Sequence, residues 1–157
     1  AASRSRASSI SAPPARLAKA VMCKQSSDAH TSTFAQATAA HYLAAGHMPA
    51  ALAKVRKVYA QRAQVMMQAL REELGAAVAF TAPQGGLFLW LRLTGANGKL
   101  TDAAELAKRA IEQGVAFVPG APFFSQNPDP SSLRLSFATV NEEKIREGVR
   151  CLAKALA

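Results

Sequence analysis

The feature that most constrains the fold is a change in hydrophobic period at Gly75. Before it, from Met48 to Leu74, apolar residues recur every third or fourth position, as they do on one face of a long helix. After it, apolar residues form short runs separated by turn residues, which is typical of strands. Gly75 stands where a glycine commonly ends a helix. A long amphipathic helix followed by a sheet-forming region is therefore predicted.

Shorter elements are predicted on both sides of this point. Two helices, Arg16–Gln25 and Thr33–Ala45, precede the long helix, whose first turn suits Pro49. A later helix begins at Asp102, with Glu105 completing a capping box, and the last begins at Asn141 and runs to Leu156. The predicted strands are Val78–Phe80, Leu87–Leu93, Val115–Val118 (ended by Pro119) and Ser132–Phe137. This order predicts an α+β domain with a mostly antiparallel sheet covered by helices.

The basic charge indicates no obvious partner. The net charge of +9 comes from 19 basic and 10 acidic residues, and residues 1–27 hold five of the basic ones and no acid. The bases are isolated and no aromatic residues alternate with them, so we expect no nucleic-acid partner. No apolar run approaches the roughly 18 residues of a membrane helix, so we expect no membrane partner.

Metal chemistry is not expected either. Cys23 and Cys151 are far apart, and His30, His41 and His47 have no carboxylate or thiol at a spacing that would complete a metal site. Two unpaired cysteines fit a reducing compartment, so a cytoplasmic location is expected.

Arg134 is the residue most informative about chemistry. It lies in the run Leu-Arg-Leu-Ser-Phe, between residues that favour burial, and a buried guanidinium needs a partner. Its planar donors match a carboxylate, so a carboxylate ligand is one interpretation. The alternative, which alternation alone favours, is an arginine on the solvent face of an edge strand.

Several segments together resemble one family. Five motifs occur in the order seen in class I/II aminotransferases that use pyridoxal phosphate (PLP), the 2-aminoadipate and kynurenine types above all: KQSSDAHTS at 24–32, Tyr59 with Arg62, PQGGLFLW at 83–90, GVAFVPG at 114–120 and LRLSFA at 133–138. The resemblance covers about residues 10–157.

The resemblance implies the C-terminal part of a fold type I enzyme. Residues 1–47 would be the end of the large cofactor domain, 48–74 the long interdomain helix, and 75–157 the small α+β domain. It implies a homodimer that moves an amino group between an amino acid and a 2-oxo acid. An aminotransferase-like sensing domain of a transcription regulator and a non-catalytic remnant are the alternatives.

The resemblance also implies roles for individual residues. Arg134 matches the arginine that binds the substrate α-carboxylate, and Phe88 and Phe123 match aromatic residues beside that arginine. For each of the two phenylalanines, packing in the core is the alternative. Arg6 falls in register with the arginine that holds the PLP phosphate. Its flanking residues depart from the family pattern, so Ala1–Ser9 could equally be transit-peptide or foreign sequence. In that register the Schiff-base lysine would lie before Ala1, so the chain contains no catalytic residue and we expect it to be inactive alone.

Overall fold

The helices of the first half form where the apolar spacing predicts them. The computed structural model describes residues 13–28, 30–95 and 98–157. Its first helices are α1 (Pro14–Asp28), α2 (Thr33–Ala44) and α3 (Met48–Leu74). Helix α3 runs for 27 residues. It ends at Leu74. Gly75, which begins the 3-10 turn Gly75–Ala77, has a φ of +50°, a conformation that glycine adopts without steric cost.

An antiparallel sheet follows α3, as predicted. In the described chain, four strands pair in the order β1-β2-β4-β3, all antiparallel. The remaining elements are β1 (Val78–Phe80), β2 (Phe88–Leu93), α4 (Ala103–Glu112), β3 (Val118–Pro119), β4 (Ser132–Ser136) and α5 (Glu142–Leu156). The α+β class is therefore confirmed.

The third strand differs from the prediction. Of the predicted run Val115–Val118, only Val118 pairs in the sheet, and the strand continues to Pro119, which lies opposite Leu133. Val115 and Phe117 instead pack, partly buried, against the core. The prediction was wrong because it took Pro119 as a stop, whereas proline is tolerated on an edge strand, where its missing N–H breaks no ladder.

Side-chain caps start the last two helices. Asp102 Oδ1 accepts hydrogen bonds from the backbone N–H groups of Ala104 (2.8 Å) and Glu105 (3.3 Å) at the start of α4. Asn141 Oδ1 accepts one from the Lys144 N–H (2.9 Å) at the start of α5. The N-caps predicted at Asp102 and Asn141 are confirmed, and each satisfies an N–H that has no partner within its helix. The second half of the predicted capping box is not seen, because Glu105 Oε1 instead accepts a hydrogen bond from Lys108 Nζ at 2.8 Å.

The core lies on one face of the sheet. Strand β2 alternates, with Leu89, Leu91 and Leu93 at most 1% exposed. Leu133 and Leu135 of β4 are buried with them, and helices α3, α4 and α5 complete the cluster with Ala63, Met66, Ala69, Leu70, Leu74, Ala103, Leu106, Ala110, Ile145, Val149, Leu152 and Ala155. The residues between the leucines therefore lie on the opposite face.

The chain divides into two compact units between Leu52 and Ala53, within α3. The sheet, α4 and α5 belong to the second unit. The three-part assignment at 47/48 and 74/75 is a prediction about the parent protein, and it stays one. No helix in the described ranges is long and apolar enough to cross a membrane.

Candidate functional site

Three side chains form a row across the sheet, on the face away from the core. Arg134 of β4 lies opposite Trp90 of β2 on one side and Val118 of β3 on the other. Residues directly opposite in an antiparallel pair point to the same face, so the three are neighbours. Strand β4 lies between β2 and β3, so Arg134 is in the interior of the sheet and not on an edge strand.

Two phenylalanine rings contact the Arg134 guanidinium. Its Cζ lies 4.1 Å from the ring centroid of Phe88 and 4.8 Å from that of Phe123. Both are within the range of favourable cation–π contacts. Phe88 is 40% exposed and Phe123 is 54% exposed. The structure therefore brings the three predicted substrate-binding residues together, with both rings outside the core.

The two arginines on this face differ in how their charge is balanced. Arg92 Nε pairs with Asp129 Oδ2 at 2.6 Å. Among the described residues no carboxylate forms an ion pair with Arg134. Because the rings offer only quadrupole attraction, Arg134 keeps its positive charge available for an anion.

Asp129 organises the loop that leads into β4. Its carboxylate accepts hydrogen bonds from the Ser131 hydroxyl (2.6 Å) and the Ser131 N–H (3.0 Å). Its backbone carbonyl accepts one from the hydroxyl of the buried Ser132 (2.7 Å). The Ser131 hydroxyl, more than Arg92, holds the pKa of the Asp129 carboxyl below its usual value, because hydrogen bonds to the charged form favour it.

We expect Asp129→Asn to destabilise the sheet unit by on the order of 1 kcal/mol at pH 7, because charge-assisted hydrogen bonds become neutral ones. A carboxyl whose pKa is lowered by folding stabilises the protein above its unfolded pKa of about 3.9 and loses that contribution as the pH falls through the folded pKa. The difference between wild type and variant in urea unfolding should therefore shrink below about pH 4. Glu112→Gln, which removes an exposed carboxylate at the end of α4, is the control. A difference unchanged between pH 7 and pH 3 would contradict this account.

Two residues that sequence reasoning assigned no role, Trp90 and Gly120, position the turn that carries the Phe123 ring. Trp90 contacts both Phe123, with ring centroids 5.8 Å apart, and Phe124, at 5.9 Å. A Cβ built on Gly120 would lie 2.8 Å from Trp90 Cζ2 and would overlap Ser132 Oγ, so only glycine fits there. Alternation along Phe88-x-Trp90 could have placed Trp90 beside Arg134, but the close approach at Gly120 leaves no signal in the sequence.

The long helix fixes the end of the strand that carries Arg134. Arg62 Nη1 of α3 donates a hydrogen bond to the Ala138 carbonyl oxygen at 2.6 Å. Tyr59, one turn earlier, contacts the buried Phe137 edge to face at 6.1 Å. The Tyr-x-x-Arg motif therefore connects α3 to the two residues that follow β4.

Two clefts in the second unit lie away from this row of side chains. One, of about 390 Å³, is formed by α5 and residues 113–116, and its Lys144 pairs with Glu147 at 2.7 Å. That contact raises the pKa of Lys144. The other, of about 680 Å³, lies between α3 and residues 83–87. Neither cleft contains Arg134, so the candidate site is the aromatic face of the sheet.

The chain belongs to the class I and II aminotransferases. The model of that family matches residues 4–152, nearly the whole chain. The predicted membership is thereby confirmed.

Three individual relatives, two aminotransferases and one transcriptional regulator, are similar to this chain. The chain is 43% identical over 145 residues to a 2-aminoadipate transaminase of Thermus thermophilus, covering 92% of this chain and 35% of that protein. It is similar to the crystal structure of a kynurenine aminotransferase from Pyrococcus horikoshii in complex with PMP (TM-score 0.75, 35% identity, 91% of this chain and 34% of that one). A helix-turn-helix transcriptional regulator, TauR of Rhodobacter capsulatus, is 32% identical over 122 residues, covering 77% of this chain and 24% of the regulator. The chain thus spans about a third of the length of its curated aminotransferase relatives.

The described residues do not by themselves fit the cofactor. PLP needs a lysine free to react with its aldehyde and donors for its phosphate. Lys108 and Lys144 are each paired with a glutamate of their own helix, and none of the described lysines stands in a sequence context that matches the family's Schiff-base lysine. Arg6, the predicted phosphate ligand, lies outside the described residues. What the sheet face offers is a cation beside aromatic rings, and a guanidinium in such a setting can bind a carboxylate.

Proposed function

We propose that the protein containing this chain transfers an amino group between an amino acid and a 2-oxo acid using PLP, and that Arg134 binds the α-carboxylate common to both substrates. The observation that carries the proposal is the Arg134 guanidinium, which no described carboxylate neutralises and which two phenylalanine rings contact within cation–π distance. An amino acid and its 2-oxo acid share their carboxylate, so one such site serves both halves of the reaction. PLP, when bound, supplies the electron sink.

Phe88 and Phe123 would act by restricting and desolvating Arg134. An arginine side chain loses about 2 kcal/mol of rotamer entropy when it is fixed, and contact with two rings would restrict the guanidinium before the substrate arrives. They also keep water from the apolar faces of the guanidinium, and a charge pair is stronger where the local dielectric constant is low. The in-plane N–H groups stay available for two parallel hydrogen bonds to a carboxylate.

The proposed setting follows the family. Residues 1–47 would belong to the large cofactor domain, 48–74 to the linking helix and 75–157 to the small domain of a cytoplasmic homodimer. Arg6 would contribute to the phosphate site, and the Schiff-base lysine would come from sequence preceding this chain.

A sensing domain of a transcription regulator is the second candidate, and the similarity to the regulator of Rhodobacter capsulatus favours it specifically. Both candidates would use Arg134 to hold an amino-acid carboxylate. Two observations distinguish the candidates. The full reading frame of a regulator would encode a DNA-binding domain, and only the transaminase would turn over a 2-oxo acid.

We expect the full-length protein to transaminate and the 157-residue chain to be inactive. Borohydride reduction in the presence of PLP should label one lysine stoichiometrically in the full-length protein only, because the family's lysine lies outside this chain. Peptide mapping locates the label, and 2-oxo acid formation measures turnover. Stoichiometric labelling of one lysine of the short chain would contradict the assigned register. A labelled full-length protein that forms no 2-oxo acid would favour the sensing domain.

A further inference from the structure

We propose that Trp90 is a positioning residue, which holds Phe123 against Arg134 and so sets how tightly the substrate carboxylate binds. The inference rests on the proposed role of Arg134. It concerns the turn Gly120–Phe124, which carries Phe123 from the sheet edge to the guanidinium.

Trp90 forms the surface on which this turn rests. Its indole contacts the Phe123 ring edge to face (interplanar angle 86°) and the Phe124 ring at 54°. Phe123 is 54% exposed, and its ring contacts both Trp90 and the Arg134 guanidinium. The indole therefore provides the fixed support for a ring that otherwise faces solvent.

Gly120 allows the turn to reach the indole. The space that a Cβ would need is filled by Trp90 Cζ2, the Ser132 hydroxyl and, at 2.9 Å, the Ser132 backbone carbon. The Gly120 N–H donates to the Ser132 carbonyl oxygen at 2.8 Å, and the Phe123 N–H donates to the Gly120 carbonyl oxygen at 2.9 Å. The base of the turn is thus fixed by backbone hydrogen bonds, and its tip is fixed by the indole.

The test is a set of variants of the full-length holoenzyme. Trp90→Leu should raise KM for the amino-acid substrate about three- to tenfold and change kcat less than about twofold, because aromatic contacts of this kind are modest and the chemistry is elsewhere. Trp90→Phe keeps an aromatic edge and should restore most of the loss. Phe80→Leu is the matched control, since Phe80 also lies beside an arginine, with Arg71 Cζ 5.2 Å from its ring centroid, on the edge strand β1. It should leave KM unchanged.

A double-mutant cycle distinguishes positioning from general loss of structure. If Trp90 acts through Phe123, Trp90→Leu and Phe123→Leu should each lower kcat/KM, and the double variant should be no worse than either. Trp90→Leu should likewise add nothing in an Arg134→Ala background. Additive losses in these pairs, or a Trp90→Leu enzyme with normal KM, would overturn the inference. Should Trp90→Leu not fold, Trp90→Ile with Phe123→Leu completes the same cycle, because a β-branched side chain suits a strand and still removes the aromatic contact. A normal kcat/KM for Arg134→Ala alone would instead remove the proposed carboxylate site.

Discussion

Replacing Arg134 with alanine in the full-length protein should lower kcat/KM for amino-acid substrates by tens to hundreds of fold. Hydrogen bonds to a charged group contribute roughly 1.5–3 kcal/mol, or more in a closed bidentate pair, and each 1.4 kcal/mol is about tenfold. PLP affinity should change little, because the guanidinium would contact the substrate. Arg134→Lys should recover part of the loss, since a single ammonium cannot make two parallel hydrogen bonds.

The measurement pairs steady-state kinetics with thermal unfolding of the same protein. Arg71→Ala is the control, because Arg71 also lies over a phenylalanine but outside the site. It should leave kcat/KM unchanged. A normal specificity constant for Arg134→Ala would exclude Arg134 from substrate binding. A lower melting temperature with unaltered kinetics would assign it a structural role.

Leu70→Ala should destabilise the sheet unit by about 2–5 kcal/mol. Leu70 is fully buried in the core cluster, and truncating a buried leucine loses both transfer free energy and packing around the cavity that remains. That loss is a large part of the 5–15 kcal/mol typical of a folded domain. Urea unfolding of the 157-residue chain, followed by circular dichroism, measures the change.

Leu52→Ala is the matched control on the same helix. The same atoms are removed from α3 with the same change in helix propensity, but Leu52 is 40% exposed. Its cost should stay below about 1 kcal/mol, because less surface is buried there. Equal costs at the two positions would contradict the assignment of Leu70 to the core.

Much of the fold could be predicted because its signals are local. The periodicity from Met48 to Leu74 predicts a helix that the structure shows with those bounds. The caps at Asp102 and Asn141 act within three residues of themselves, so their chemistry is visible in the sequence. The bounds of β3 were not predictable in this way. Whether Pro119 ends a strand depends on whether that strand is at an edge, and strand order is a property of the whole sheet.

The candidate site was predictable only through family resemblance. Alternation places Arg134 opposite the leucines, but it does not indicate which residues lie across the sheet from it. The Phe123 ring reaches Arg134 because the turn after β3 folds back over Trp90, and that depends on the absence of a Cβ at Gly120. Contacts between residues far apart in sequence leave no periodic pattern, so the contact of Trp90 with Phe123 and its dependence on Gly120 are seen only in the structure.

The shortness of the outer strands governs how this sheet can meet other molecules. Strand β1 has three residues and β3 has two, and Pro119 removes one backbone donor from the β3 edge. Unpaired edges of a sheet invite strands from other chains, and short edges with proline discourage that addition. With longer unpaired edges, a sheet that also exposes aromatic rings would be prone to aggregate by pairing of strands from different chains. Other molecules are therefore more readily bound by the side chains on the face of the sheet than by the backbone at its edges.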